Sequence, residues 1–243
     1  MASIPYPVAV NTIERAKAAT APITPGKVAM WLFLATEIMF FTGLIGSYIV
    51  LRAGSSPFYY SDKYAPGTPV VEMPTTEGVR FHSWPVPYDT HINPLSIDLT
   101  AGNTFILICS SVSMVLGLAA IQRGDKKKLT LWLAATVAIG SVFLGIQVYE
   151  YYSLMLGHHY PVGVSGTGHF TPDVSLFASC FFTMTGFHGA HVFAGVVMLT
   201  TLLIQSLRGV YTQAHHAPVE LIGLYWHFVD LVWIILFTVV YLV

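Results

Sequence analysis

Five stretches of this chain, roughly residues 28–51, 100–122, 129–156, 173–207 and 218–242, are apolar over lengths that cross a membrane. A hydrocarbon core is about 30 Å thick and needs about 20 helical residues to span it. Inside lipid every backbone N–H and C=O must be satisfied within the protein, so stretches of this kind fold as helices. The expected fold class is therefore all-α, an integral membrane bundle of five transmembrane helices. Composition agrees, with 54% hydrophobic and 9% charged residues, where a soluble domain carries about 25% charged residues. The fourth stretch, at about 1.5 Å per residue, would run about 50 Å and must tilt or protrude from the bilayer.

Between the first two stretches, residues 53–99 hold Pro57, Pro66, Pro69, Pro74, Pro85, Pro87 and Pro94 among polar residues. Proline at that density blocks a helix, so a proline-rich extramembrane loop is expected there. Residues 1–27 carry Pro5, Pro7, Glu14, Arg15, Lys17, Pro22 and Pro25 with no apolar h-region, and read as a polar tail rather than a cleaved signal. The expected division is a tail over 1–27 and a five-helix membrane domain over 28–243. Cys109 and Cys180 lie inside apolar runs and read as small packing residues, not as a disulfide framework. A net charge of −1 offers no basic stripe for nucleic acid, and no nucleic-acid partner is expected.

Basic residues set the expected orientation. Arg15, Lys17, Lys27, Arg123, Lys126, Lys127, Lys128 and Arg208 fall on one side of a five-span chain, and Arg52, Lys63 and Arg80 on the other. The positive-inside rule then puts the N-terminus in the cytoplasm and the C-terminus in the periplasm. The proline-rich loop and the connection bearing His158, His159 and His169 would face the periplasm. Arg123-Gly124-Asp125 reads as a tight cytoplasmic turn beside three lysines, not as an adhesion tripeptide.

Ionisable groups inside the spans carry the functional signal, because each costs roughly 2.5–3.5 kcal/mol to place at mid-depth. At about 1.5 Å per residue, Glu37 lies about 14 Å into the first span and Asp230 about 18 Å into the fifth. His188 and His191 fall near the middle of the fourth. His188 and His191 share one helix face, as do His227 and Asp230, since i and i+3 are surface neighbours. The expectation is a buried polar or proton network of Glu37, His188, His191, His227 and Asp230, with imidazole N–H groups donating to carboxylates. A di-iron bundle uses Glu-x-x-His pairs. The pairs here are His-x-x-His and His-x-x-Asp, with Glu37 and Glu150 as the only additions, so no metal site is expected. Gly43, Gly46, Gly186, Gly189, Gly195, Ala190 and Ala194 are expected to let helices approach closely.

Taken in order, Thr36-Glu37-Ile38-Met39-Phe40-Phe41, Gln122-Arg123-Gly124-Asp125-Lys126-Lys127, Gln147-Val148-Tyr149-Glu150-Tyr151-Tyr152, Thr185-Gly186-Phe187-His188-Gly189-Ala190-His191, His215-His216 with Glu220, and Tyr225-Trp226-His227-Phe228-Val229-Asp230 form a specific pattern. It resembles subunit III of the haem–copper respiratory oxidases, of the cytochrome c oxidase type and the short five-helix bacterial form. The resemblance runs from about Lys27 to Val243, excluding the proline-rich loop. It implies a subunit that has no catalytic residues or redox cofactor of its own and packs on the haem- and copper-bearing oxidase subunits I and II. It also implies bound phospholipid, a bacterial inner-membrane location and support of proton uptake and turnover stability. A larger respiratory supercomplex is a further partner that it allows. Under that reading His215, His216 and Glu220 are proton-collecting candidates, and Arg208 and Trp226 are lipid-binding candidates. Longer members carry two more N-terminal helices, which are missing here. A quinol oxidase subunit and the accessory subunit of nitric oxide reductase are alternatives within the resemblance. A free-standing proton-coupled carrier is the alternative of another class. Such carriers usually show inverted repeats, and no repeat is evident.

Overall fold

A computed structural model describes residues 24–53, 95–157, 169–173 and 176–242. Most of the expected tail, nearly all of the proline-rich loop, and His158 and His159 lie outside the described residues. Each expected span is one helix: α1 Pro25–Ala53, α2 Ile97–Gln122, α3 Lys126–Leu156, α4 Leu176–Leu207 and α5 Ala217–Phe237, the last continued by a π-helical turn over Thr238–Leu242. All five are long and apolar enough to cross a membrane. Three begin a turn before the apolar stretch does, because hydropathy stops at polar side chains while backbone hydrogen bonding does not. Pro25 starts α1, where a missing N–H costs nothing, and Lys126–Lys128 form the first turn of α3. The fourth helix begins at Leu176 rather than 173, after the turn at Pro172 and Asp173, and its 32 residues still make it about 48 Å long at 1.5 Å per residue.

Two short connections force antiparallel pairs. After α2, Gly124 adopts φ 84°, its N–H donates to Ile121 O at 2.9 Å, and the N–H of Asp125 donates to Ala120 O at 3.0 Å. This is the glycine-terminated motif that satisfies the last carbonyls of a helix. Asp125 then caps α3 by accepting from the N–H of Lys128 at 3.1 Å. After α4 the arrangement repeats, with Gly209 at φ 74°, its N–H on Ser206 O at 2.9 Å and that of Val210 on Gln205 O at 3.2 Å. Lys126 Nζ reaches Gly209 O at 3.4 Å and joins the two turns. This end of the bundle is called the turn end below.

Helices α2, α3, α4 and α5 form a closed ring in which each packs on two others, and α1 lies outside it against α4 and α5. Lipid supplies no hydrophobic drive for helix association, so close packing and interhelical hydrogen bonds must hold the ring. Trp226 is its centre. A Cβ on Gly140 would meet the Trp226 ring at 2.7 Å and one on Gly195 at 2.8 Å, so the indole is packed against two backbones. Its Nε1 donates to Ser110 Oγ at 2.9 Å, which ties α5 to α2. About two turns on, Trp233 donates to Thr104 Oγ1 at 2.9 Å and stacks on His188 at 4.8 Å between ring centres. Only part of the expected small-residue surface is used. Gly195 is a contact point, but Gly43, Gly46 and Gly189 face open space. Gly26, Gly117, Gly140 and Gly223, which pattern alone did not single out, are further close approaches.

Candidate functional site

The mid-depth ionisable groups form two separate contacts rather than one network. The first joins α1 to α4. His191 Nδ1 donates to the Phe187 carbonyl at 2.7 Å, and His191 Nε2 lies 2.9 Å from Glu37 Oε2. A carbonyl can only accept, so Nδ1 carries a proton. If Nε2 were bare and Glu37 ionised, two lone pairs would face each other. The contact therefore holds a second proton, on the imidazole or on the carboxyl, and the pair is neutral overall either way. Neutrality matters at this depth, where an isolated charge is costly. Phe41 sets its ring edge against His191 at 5.1 Å, Phe40 packs on Phe187 at 5.1 Å, and Tyr225 donates to the His191 carbonyl at 3.1 Å. The side chains of His191 and Glu37 remain 19% and 18% exposed, so the pair is shielded without being sealed.

The second contact joins α2 to α5 through a residue that the spacing did not reveal. Ser111 donates to Asp230 Oδ2, and its Oγ lies 3.0 Å from His227 Nδ1. A hydroxyl has one proton and two lone pairs. While Ser111 donates to Asp230, His227 Nδ1 must donate to Ser111. If Asp230 is protonated, both bonds can reverse. The serine is thus a two-way bridge between imidazole and carboxyl, and His227 and Asp230 are indeed on one helix face. A lone serine in an apolar helix gives no sequence signal of this.

His188 joins neither contact. Its ring is wholly buried, stacked on Trp233 and edged by Phe143 at 6.2 Å, and neither nitrogen has a hydrogen bond to protein. Among the described residues no three His, Cys, Asp or Glu side chains are grouped so as to hold a metal ion.

A further polar level lies towards the end of the ring opposite the turns. Thr100 donates to Glu150 Oε1 at 3.1 Å and Tyr241 donates to the same oxygen at 3.3 Å. Tyr151 and Thr185 share a hydrogen bond of 2.6 Å alongside. Glu150 is 6% exposed. Its two hydroxyl donors come from α2 and the C-terminal π-turn.

At the turn end, Lys27 and Glu220 form an ion pair at 2.8 Å that fastens the start of α1 to α5. The Glu220 carboxylate is therefore engaged by an ammonium and is not a free partner of His215 and His216. His215 is exposed, and His216 Nδ1 donates to Gln213 O at 2.7 Å. In the same segment, burial pushes the Tyr211 hydroxyl above its ordinary pKa. Arg208 is exposed at the end of α4. Trp226 is a correction to expectation: it is 0% exposed, wedged between Gly140 and Gly195, and has no surface to offer a lipid.

Comparison with known proteins gives this geometry its family. A protein-family model described as cytochrome c oxidase subunit III matches residues 15–243. The chain is 37% identical over 212 residues to cytochrome c oxidase subunit 3 of a Synechocystis strain, covering 87% of this chain and 72% of that protein. It is 33% identical over 216 residues to the subunit 3 of Thermostichus vulcanus, covering 88% and 86%. It is 32% identical over 216 residues to that of Sus scrofa, covering 88% and 68%. With a match that takes in all five helices and both polar contacts, the chain belongs to the cytochrome c oxidase subunit III family.

Proposed function

We propose that this chain serves as the redox-free third subunit of an aerobic terminal oxidase that takes electrons from cytochrome c. In that role it packs on haem- and copper-bearing subunits I and II, holds phospholipid, and supports proton uptake and turnover stability during oxygen reduction. Family membership over residues 15–243 is the observation that carries this reading. The site chemistry supports it. The interior groups are suited to holding and passing protons, and His215 stands exposed at the turn end. The basic turn end supports a placement in the inner membrane with the N-terminus cytoplasmic and the C-terminus periplasmic, and Arg208 there is suited to a phospholipid head group.

The test is the oxygen-consumption trace of the purified oxidase with and without this chain between about pH 6 and about pH 9, the range over which an ordinary imidazole discharges. Removal should leave the haem spectrum and initial oxygen reduction in place, slow turnover most at high pH, and hasten loss of activity during continuous catalysis. Identical traces would sink the mechanism. Complete loss of the haem signal would move the role from proton supply to assembly.

A further inference from the structure

Three side chains unused by the contacts described above share one depth inside the ring. Asn103 follows Thr100 by one turn on α2, and Gln147 precedes Glu150 by one turn on α3. Because Thr100 donates to Glu150 and the two helices run antiparallel, Asn103 stands opposite Gln147. The same construction holds on the other side. Gln147 is one turn before Tyr151, His188 is one turn after Thr185, and the Tyr151 and Thr185 hydroxyls are bonded, so Gln147 also stands opposite His188. Two contacts agree with this register. Asn103 Nδ2 donates to the Phe143 carbonyl at 3.4 Å, on the turn of α3 that carries Gln147, and the Phe143 ring meets His188.

Five polar atoms of these three side chains have no hydrogen bond to protein: Asn103 Oδ1, Gln147 Nε2 and Oε1, and His188 Nδ1 and Nε2. Their residues are 3%, 5% and 0% exposed. Tyr151 is a neighbour of Gln147, but its hydroxyl is bonded to Thr185 and forms no well-aligned bond with the amide. Buried polar groups are rarely left unsatisfied, and buried waters typically make about three hydrogen bonds each to such groups.

We infer that Asn103, Gln147 and His188 form a binding site for internal water. The donor and acceptor inventory fits. Water donates to Asn103 Oδ1, to Gln147 Oε1 and to the bare nitrogen of a neutral His188, and accepts from Gln147 Nε2 and from the protonated ring nitrogen. The site lies one turn from the Glu150 cluster and one turn from His191, and gives the ring a hydrated level between its two polar ends.

Radiolytic footprinting of the intact oxidase complex, mixed into H2¹⁸O just before millisecond X-ray exposure, tests this. Radicals made from bound internal water add to neighbouring rings before the water exchanges. Phe143 and Trp233, both buried, should gain oxygen that is mainly ¹⁶O, and in the Asn103→Leu, Gln147→Leu double variant the gain should fall to background. A high-resolution map of the wild-type complex gives the second measurement, independent of whether that variant folds. Density within hydrogen-bond reach of Asn103, Gln147 and His188 is expected. Phe143 and Trp233 that gain no oxygen or gain mainly ¹⁸O, or a map in which the Gln147 amide bonds His188 directly with nothing between, would overturn the inference.

Discussion

His191 Nε2 and Glu37 Oε2 meet at 2.9 Å across the seam between α1 and α4, and a shared proton is what lets them do so. The seam is narrow. Besides this pair, the Lys27–Glu220 ion pair fastens the start of α1, and Phe41 and Tyr48 are buried in the core. The proton-bearing pair is thus also a structural clasp, and the two roles can be separated by substitution.

Replacing Glu37 with Gln keeps a neutral partner whose amide N–H donates to Nε2, whereas Glu37→Ala leaves the imidazole without one. The alanine variant should be destabilised by about 1–3 kcal/mol, the cost of an unsatisfied, largely buried polar group, with the glutamine variant close to wild type. Thermal unfolding in lipid nanodiscs reads this. Equal losses for both variants would mean that the clasp depends on charge.

Gly140 and Gly195 should tolerate nothing larger. A methyl group at either meets the Trp226 ring below 3.0 Å, and the indole cannot swing aside without breaking its bond to Ser110. Overpacking of this kind costs about 1–3 kcal/mol. Gly189→Ala, which meets nothing within 4 Å, should be neutral or stabilising in the same unfolding assay, since alanine favours a helix over glycine by about 1 kcal/mol.

The turn between α2 and α3 should weaken in acid. The N–H of Lys128 and then its ammonium hold the Asp125 carboxyl below its ordinary pKa. A lowered folded-state pKa contributes stability that is present above the unfolded value and is lost as pH falls through the folded one. The unfolding midpoint of the wild type should therefore drop as pH is lowered from the ordinary carboxylate range, near about 4. Asp125→Asn, which can still cap the helix, should lose this dependence. An equally steep drop in the variant would locate the effect elsewhere.

The helices were legible in the sequence because lipid leaves an apolar stretch of this length no other fold. Their ends were less so, since the lysines of α3 and Pro25 of α1 obey helix-end chemistry rather than hydropathy. That Glu37 and His191 need buried partners was legible from depth, but within one network of five side chains rather than as the pair they form. The pair's proton arrangement was not, because it depends on the Phe187 carbonyl, a backbone group with no side-chain signature. Ser111 stayed hidden for a similar reason: apolar helices carry many serines, and only packing shows which one stands between an imidazole and a carboxylate. Trp226, a lipid-binding candidate under the family resemblance, is instead interior because two glycines from other helices make a slot for it.

The orientation of the chain rests on charge. Among the described residues Lys27, Arg123, Lys126, Lys127, Lys128 and Arg208 lie at the turn end, and Arg52 alone lies at the other. Among the described residues Asp125 and Glu220 are the acidic residues at the turn end, each paired with a lysine. Short basic segments of this kind are retained in the cytoplasm during insertion. After Cys109 and Cys180, both free thiols, are replaced by alanine, a cysteine at Lys127 should react with a membrane-impermeant maleimide only when the cytoplasmic face is opened. A cysteine at Thr76, in the proline-rich loop, should react in intact cells. The reverse pattern would invert the topology and move His215 and His216 to the side from which protons are not drawn, and the proton-uptake role would fall with it.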